Sequence, residues 1–163
     1  MALVFRKLSG FSVATHINFI LSQYKMARYY IDTCIWIDII NERKGFAGED
    51  LAGPALKLLE HIMKAEGTIV ISDAVMQELV LHVAEDAINS ILAILHAYLE
   101  YIEASAMELE EMKRIAIQRK LPYKDVLHAV ISRNRHALLV TRDKHFKHLE
   151  DICKHYLPEE LIQ

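Results

Sequence analysis

Glycine and proline are scarce in this chain of 163 residues, at five and three. That leaves little material for long loops and tight turns, so helices should dominate. Cysteine is scarcer still. Cys34 and Cys153 make neither a disulfide framework nor a cysteine-rich zinc site, which points to a reducing, cytoplasmic setting. No apolar run reaches the roughly 20 residues that span a bilayer; "FSVATHINFIL" is short and interrupted by His16 and Asn18, so no membrane association is expected. Neither G-x-G-x-x-G nor G-x-x-x-x-G-K-[ST] occurs, which argues against a nucleotide-binding protein built on a phosphate loop. Basic charge is not in excess either: 19 Lys and Arg face 22 Asp and Glu, for a formal charge of −3. Affinity for a polyanion through bulk charge is therefore not expected.

What is present is 53% hydrophobic residues beside 25% charged ones, the balance of one globular domain with a sizeable core. The first 25 residues stand apart, holding Arg6, Lys7 and Lys25 and no acid. A secretory leader would require a small-residue cleavage site, and none is clear. Residues 1–25 read either as an amphipathic extension or as an upstream start ahead of Met26, the second being favoured. The folded domain is then 26–163.

Within it, "RYYI" (28–31) and "TIVIS" (68–72) are compact β-prone runs. "ALLVT" (137–141) is a third such run, "EYIEAS" supplies a short strand between them, and the tail supplies an edge strand near 152–157. Helices are expected over about 34–42, within "LAGPALKLLEHIMKAEG", in "AVMQELVLHVAED", and over about 86–98, 106–119 and 123–135. Strands alternating with helices predict an α/β fold whose central sheet is mainly parallel and covered on both faces.

In such a sheet, ligands sit beyond the carboxyl ends of the strands. Asp32 directly follows the first strand, and Asp143 lies two residues after "ALLVT". Glu78 sits in the helix after "TIVIS", and Asp125 begins a helix after Pro122. All four can point into one crevice. Clustered carboxylates raise one another's pKa unless a cation is bound, and hard oxygen donors suit Mg²⁺ or Mn²⁺. Such a cation reverses the local sign of charge, so an acidic chain can still act on a phosphate diester.

"YYIDTCIWIDII", "SDAVMQELV" and "YKDVLHAVISRNRHALLVTRDKHF" resemble, in this order, the three signature blocks of PIN-domain ribonucleases, closest in flavour to VapC-type toxins. The resemblance covers nearly all of residues 27–160 and implies a three-layer α/β/α fold. It places Asp32, Glu78, Asp125 and Asp143 at the family's acidic, metal-binding positions, with Thr33 and Thr141 beside them. It implies a Mg²⁺- or Mn²⁺-dependent endoribonuclease, an RNA substrate, a restraining antitoxin and a homodimer. Apolar grooves between the helices of 34–66 suit a partner helix or strand. Two positions depart from the pattern: His145 stands where a further acid is frequent, and Ser132 replaces a small apolar residue. Lys120, Lys124, Arg142 and Lys144 flank the third and fourth acids and are candidate RNA-phosphate contacts; Tyr123 is a candidate base-stacking residue.

Taken singly, each acid has a plainer reading: Asp32 an N-cap, Glu78 a solvated helix face, Asp125 a first-turn acid, Asp143 a turn residue. Asp38 is expected to face solvent, Trp36 to lie in the core or a subunit interface, and Cys34 to be a small packed residue. The histidines, His128 and His145 among them, lack zinc-site spacing and read as surface or core residues. A second functional class is a PIN-like fold kept as a noncatalytic binding or scaffolding module, against which the four intact acids speak.

Overall fold

The computed structural model describes residues 27–162. The expectations for residues 1–25 lie outside the described residues. The first strand, β1 (Arg28–Ile31), runs straight into α1 (Thr33–Ile40), with Asp32 as the single residue between them. Asp32 has extended backbone, and its carboxylate accepts the Thr33 N–H, which ends the strand and starts the helix. Helix α2 (Ala52–Lys64) follows, then β2 (Thr68–Ser72) and α3 (Asp73–His82). Ser72 caps α3 as Asp32 caps α1, its hydroxyl accepting from the Val75 N–H.

Helix α4 (Glu85–Leu95) leads through a short 3₁₀ turn to β3 (Leu99–Ile102). Helix α5 (Ala106–Arg119) opens on a capping box between Ser105 and Glu108 and stops where Lys120 turns left-handed, at φ 56°. After Pro122 come α6 (Tyr123–Asn134), β4 (Leu138–Val140), a 3₁₀ helix (Lys144–Leu149) and β5 (His155–Tyr156). The helix expected over 86–98 thus ends in a 3₁₀ turn, and the other elements fall within a few residues of the pattern read from the sequence.

All strand pairs are parallel, in the order β3-β2-β1-β4-β5. The chain steps from β1 to β2 to β3 in one direction, then crosses back past β1 to β4. Right-handed crossovers place helices from the two directions on opposite faces. Packing agrees: α1 contacts α2, α3 and α4, whereas α5 packs on α6. This is the three-layer α/β/α arrangement.

The sheet centre is dry. Tyr30, Ile31, Ile69, Val70, Ile71, Leu139 and Val140 are all fully buried. Trp36 is also fully buried and donates from Nε1 to the Ile31 carbonyl, which places it in the core. Because the direction of winding reverses between β1 and β4, the strand tips splay there, where α/β sheets form their binding crevice. Asp32 ends β1, and Asp143 follows β4 by three residues.

Candidate active site

At that crevice each carboxylate is delivered by a different element: Asp32 by the β1 tip, Glu78 by α3, Asp125 by the first turn of α6 and Asp143 by the loop after β4. They line one cavity of about 370 Å³, together with Lys124 and His128. Within it the acids fall into two sets. Asp32 and Glu78 share the first with His128, one ligand atom from each lying within 4.8 Å of the others; Asp125, Asp143 and His145 form the second on the same terms.

The inner set is held rigidly. Asp32 is 6% exposed; its Oδ2 accepts from Thr141 Oγ1 at 2.6 Å, and its Oδ1 from the Thr33 N–H at 2.7 Å. Thr33 Oγ1 in turn donates to Glu78 Oε2 at 2.7 Å. Lys124 Nζ reaches Glu78 Oε1 at 2.9 Å. Burial pushes the Glu78 carboxyl up, but the His128 imidazole, the Thr33 hydroxyl and the Lys124 ammonium outweigh it and bring it down to about 2. Both threonines therefore bind the acids they neighbour.

Behind Glu78, the buried His128 presents Nδ1 to Tyr30 Oη at 2.7 Å, and Tyr30 Oη lies 2.6 Å from Ser72 Oγ. His128 Nε2 faces Glu78 Oε2 at 3.5 Å, yet it has no hydrogen-bond partner among the described residues. Periodicity alone marks His128 as a core residue; its i+3 spacing from Asp125 on one helix face is the signal that joins it to the site.

The outer set is short of partners. Asp125 Oδ2 is buried without a hydrogen bond among the described residues, and burial, together with the charge of Asp143, pushes the Asp125 carboxyl above its ordinary range. Asp143 caps the following 3₁₀ helix by accepting the His145 N–H at 2.8 Å. A buried carboxylate oxygen and a buried imidazole nitrogen, neither hydrogen-bonded among the described residues and both from residues lining one acid-rich cavity, are compatible with a bound cation. The donor set fits a divalent cation, the four acids being candidate ligands.

Cys34 contacts the site, its thiol 3.2 Å from Asp32 Oδ2. Burial and the Asp32 charge both push that thiol up, so it packs as a neutral group and not as a nucleophile. Asp38 differs from expectation. It is 1% exposed, and its carboxylate is bound by Arg142 Nε at 3.1 Å and approached by Arg43 at 3.4 Å. Arg142 also binds Glu159 and the Leu51 carbonyl. That guanidinium braces the C-terminal turn against α1 and the loop before α2, so it is committed inside the protein and not offered at the rim. Lys124 and the half-exposed Tyr123 both line the cavity; Lys120 and Lys144 are exposed on the flanking segments.

The chain belongs to the PIN domain family, whose model matches residues 29–152. No curated protein matches it significantly. Among solved structures it is similar to VapBC2 from Rickettsia felis bound to a DNA fragment from their promoter, at 27% identity and a TM-score of 0.57, over 77% of this chain and 96% of that one. Two others share the fold at 18% identity: a toxin–antitoxin complex from Klebsiella pneumoniae, with a TM-score of 0.51 over 72% of this chain and 89% of that one, and PAE2754 from Pyrobaculum aerophilum, with a TM-score of 0.50 over 84% and 95%.

Proposed function

We propose that this chain is a metal-dependent endoribonuclease of VapC type, the toxin of a pair whose antitoxin restrains it. The observation that carries this reading is the convergence of Asp32, Glu78, Asp125 and Asp143 on one crevice at the β1–β4 switch point. Membership of the PIN domain family and the likeness to VapBC2 support it.

The four acids would hold Mg²⁺ or Mn²⁺, which when bound supplies an activated water and neutralises charge developing at phosphorus. The chain's own residues set the geometry. Thr33 and Thr141 fix the rotamers of Glu78 and Asp32, so the inner carboxylates need little reorganisation on binding. Lys124 reaches into the cavity, its side chain about two-thirds exposed and its ammonium on Glu78, and is placed to meet a substrate phosphate. Tyr123 offers a ring face to an unstacked base. Lys120 and Lys144 extend the same basic rim, whereas Arg142 is spent on Asp38 and Glu159.

Among the described residues no helix is long and apolar enough to cross a membrane, and we take the site of action to be the cytoplasm. Homodimerisation is part of the same reading; light scattering of the purified chain tests it.

The deciding experiment is cleavage of a mixed structured and single-stranded RNA pool with Mg²⁺ or Mn²⁺. Wild type is compared with Asp32→Asn and Asp125→Asn, each prepared identically, with an EDTA control. Cutting that is lost in both variants and in EDTA is expected. A folded, partner-free wild type that cuts nothing, and binds no divalent cation in a titration, would favour the noncatalytic binding module. Co-purification of a small tightly bound protein tests the toxin role separately from the nuclease.

A further inference from the structure

We infer that His145 is itself a cation ligand, and that the Asp125–Asp143–His145 set makes this crevice prefer a first-row transition cation to Mg²⁺. The inference rests on the metal-site reading above and names the ion class that reading leaves open.

His145 is the second residue of the 3₁₀ helix after β4, with its backbone N–H bound to Asp143 Oδ1. Its side chain is about two-thirds exposed, and the imidazole sits beside the outer acids. Its Nδ1 lies 3.3 Å from Asp143 Oδ1 and 3.7 Å from Asp125 Oδ2. Oxygen and nitrogen donors around one ion sit at about this separation, since metal–ligand bonds run near 2 Å. The Asp125 oxygen it faces is a buried atom that lacks a hydrogen bond among the described residues, as is His128 Nε2 deeper in the cavity. His128 is 3% exposed at its side chain, so water cannot readily serve that nitrogen. Lys124 is bound to Glu78 on the inner side, so among the described residues the outer acids Asp125 and Asp143 pair with no Lys or Arg and have the His145 nitrogen donor beside them at the rim.

Mg²⁺ demands oxygen ligands in near-ideal octahedral geometry and dehydrates reluctantly. Imidazole suits the later first-row ions, and affinity at mixed nitrogen–oxygen sites rises along that series. Replacing a carboxylate by His145 removes one negative charge and one hard oxygen. Both changes count against Mg²⁺ more than against Co²⁺ or Mn²⁺.

The competing role for His145 is that of a protonated counter-ion, paired with Asp125 and Asp143 and displaced by any cation. The two roles differ in sign. Loss of a ligand weakens transition-ion binding selectively, whereas loss of a counter-ion strengthens every divalent cation alike.

The test is direct binding by the full chain, with Co²⁺ as probe in calorimetry and visible absorbance, and Mg²⁺ measured by competition. Wild type is compared with His145→Ala, His145→Asp and the control His148→Ala, each checked for an unchanged thermal midpoint. His145→Ala is expected to weaken Co²⁺ by about tenfold or more, the scale on which metal sites respond to lost partners, and to leave Mg²⁺ within about twofold. His145→Asp should shift the Co²⁺-to-Mg²⁺ ratio toward Mg²⁺, and His148→Ala should leave it unchanged. A ratio indifferent to both His145 variants, or equal strengthening of the two ions in His145→Ala, overturns the inference while sparing the metal site. A wild type that binds neither ion overturns both.

Discussion

Thr33 Oγ1 donates a 2.7 Å hydrogen bond to Glu78 Oε2, while the same residue's N–H binds Asp32. One threonine thus ties the acid at the tip of β1 to an acid in α3. A hydrogen bond to a charged group contributes about 1.5–3 kcal/mol, and Thr33 is 5% exposed, so water cannot replace the hydroxyl. Thr33→Val should lower unfolding free energy by about that amount, whereas Thr33→Ser should retain most of it. Urea denaturation in EDTA measures both. A valine variant as stable as wild type would mean that the contact contributes nothing.

Glu78 gives the protein a specific acid sensitivity. Its folded pKa, about 2, lies below its ordinary value of 4.5. The ionised form therefore adds stability that is complete above the ordinary value and is lost as pH falls through the folded one. Glu78→Gln removes that linkage. The gap in urea midpoint between wild type and Glu78→Gln should be constant from pH 7 to about 5 and narrow steadily below pH 4.5. A gap as wide at pH 3 as at pH 7 would show that Glu78 is not held ionised by its neighbours.

The strand tips were legible in the sequence because each compact β-prone run stops at or beside an acid or hydroxyl. The positions of Asp32, Asp125 and Asp143 at one crevice were legible for the same reason, since strand ends and first turns are local features, whereas Glu78 lies past the first turn of α3. What local pattern does not carry is pairing across the fold. Asp38 sits mid-helix in an apolar stretch and reads as a solvent-facing residue; its partner Arg142 is 104 positions away. Arg142 reads as a rim cation beside Asp143 for the same reason, since nothing nearby reveals that Asp38 and Glu159 already hold it. His128 needed the β1 side chain Tyr30, 98 residues distant, to be fixed behind Glu78.

The Asp38–Arg142 pair joins a buried carboxylate to a largely buried guanidinium, with 2% and 17% side-chain exposure. Burial pushes the Asp38 carboxyl up, against the pull of Arg43 and Arg142, so the ion pair only partly offsets its desolvation. Removing Arg142 leaves the buried Asp38 with only the longer Arg43 contact at 3.4 Å, and breaking one side of a buried pair typically costs about 3–5 kcal/mol. Arg142→Gln should be destabilised on that scale, and adding Asp38→Asn should restore part of the loss. A double-mutant cycle in urea measures the coupling. Additive effects would mean that the two side chains act independently.

The outer acids should trade stability for cation binding. Asp125 is pushed up by burial and by Asp143, so the folded state holds its proton more tightly than the unfolded chain, and ionisation at neutral pH costs stability. Asp125→Asn removes that cost without changing side-chain volume. In EDTA at pH 7 the variant should therefore melt above wild type, as residues shaped for function commonly allow. A divalent cation should reverse the order. At 100 times its Kd, a ligand specific to the folded state adds about 2.7 kcal/mol, a gain that Asp125→Asn should largely forfeit. Thermal midpoints with EDTA and with Mn²⁺ give the four values required. A variant less stable than wild type in EDTA would show that Asp125 serves packing, and equal gains from Mn²⁺ would remove it from the ligand set.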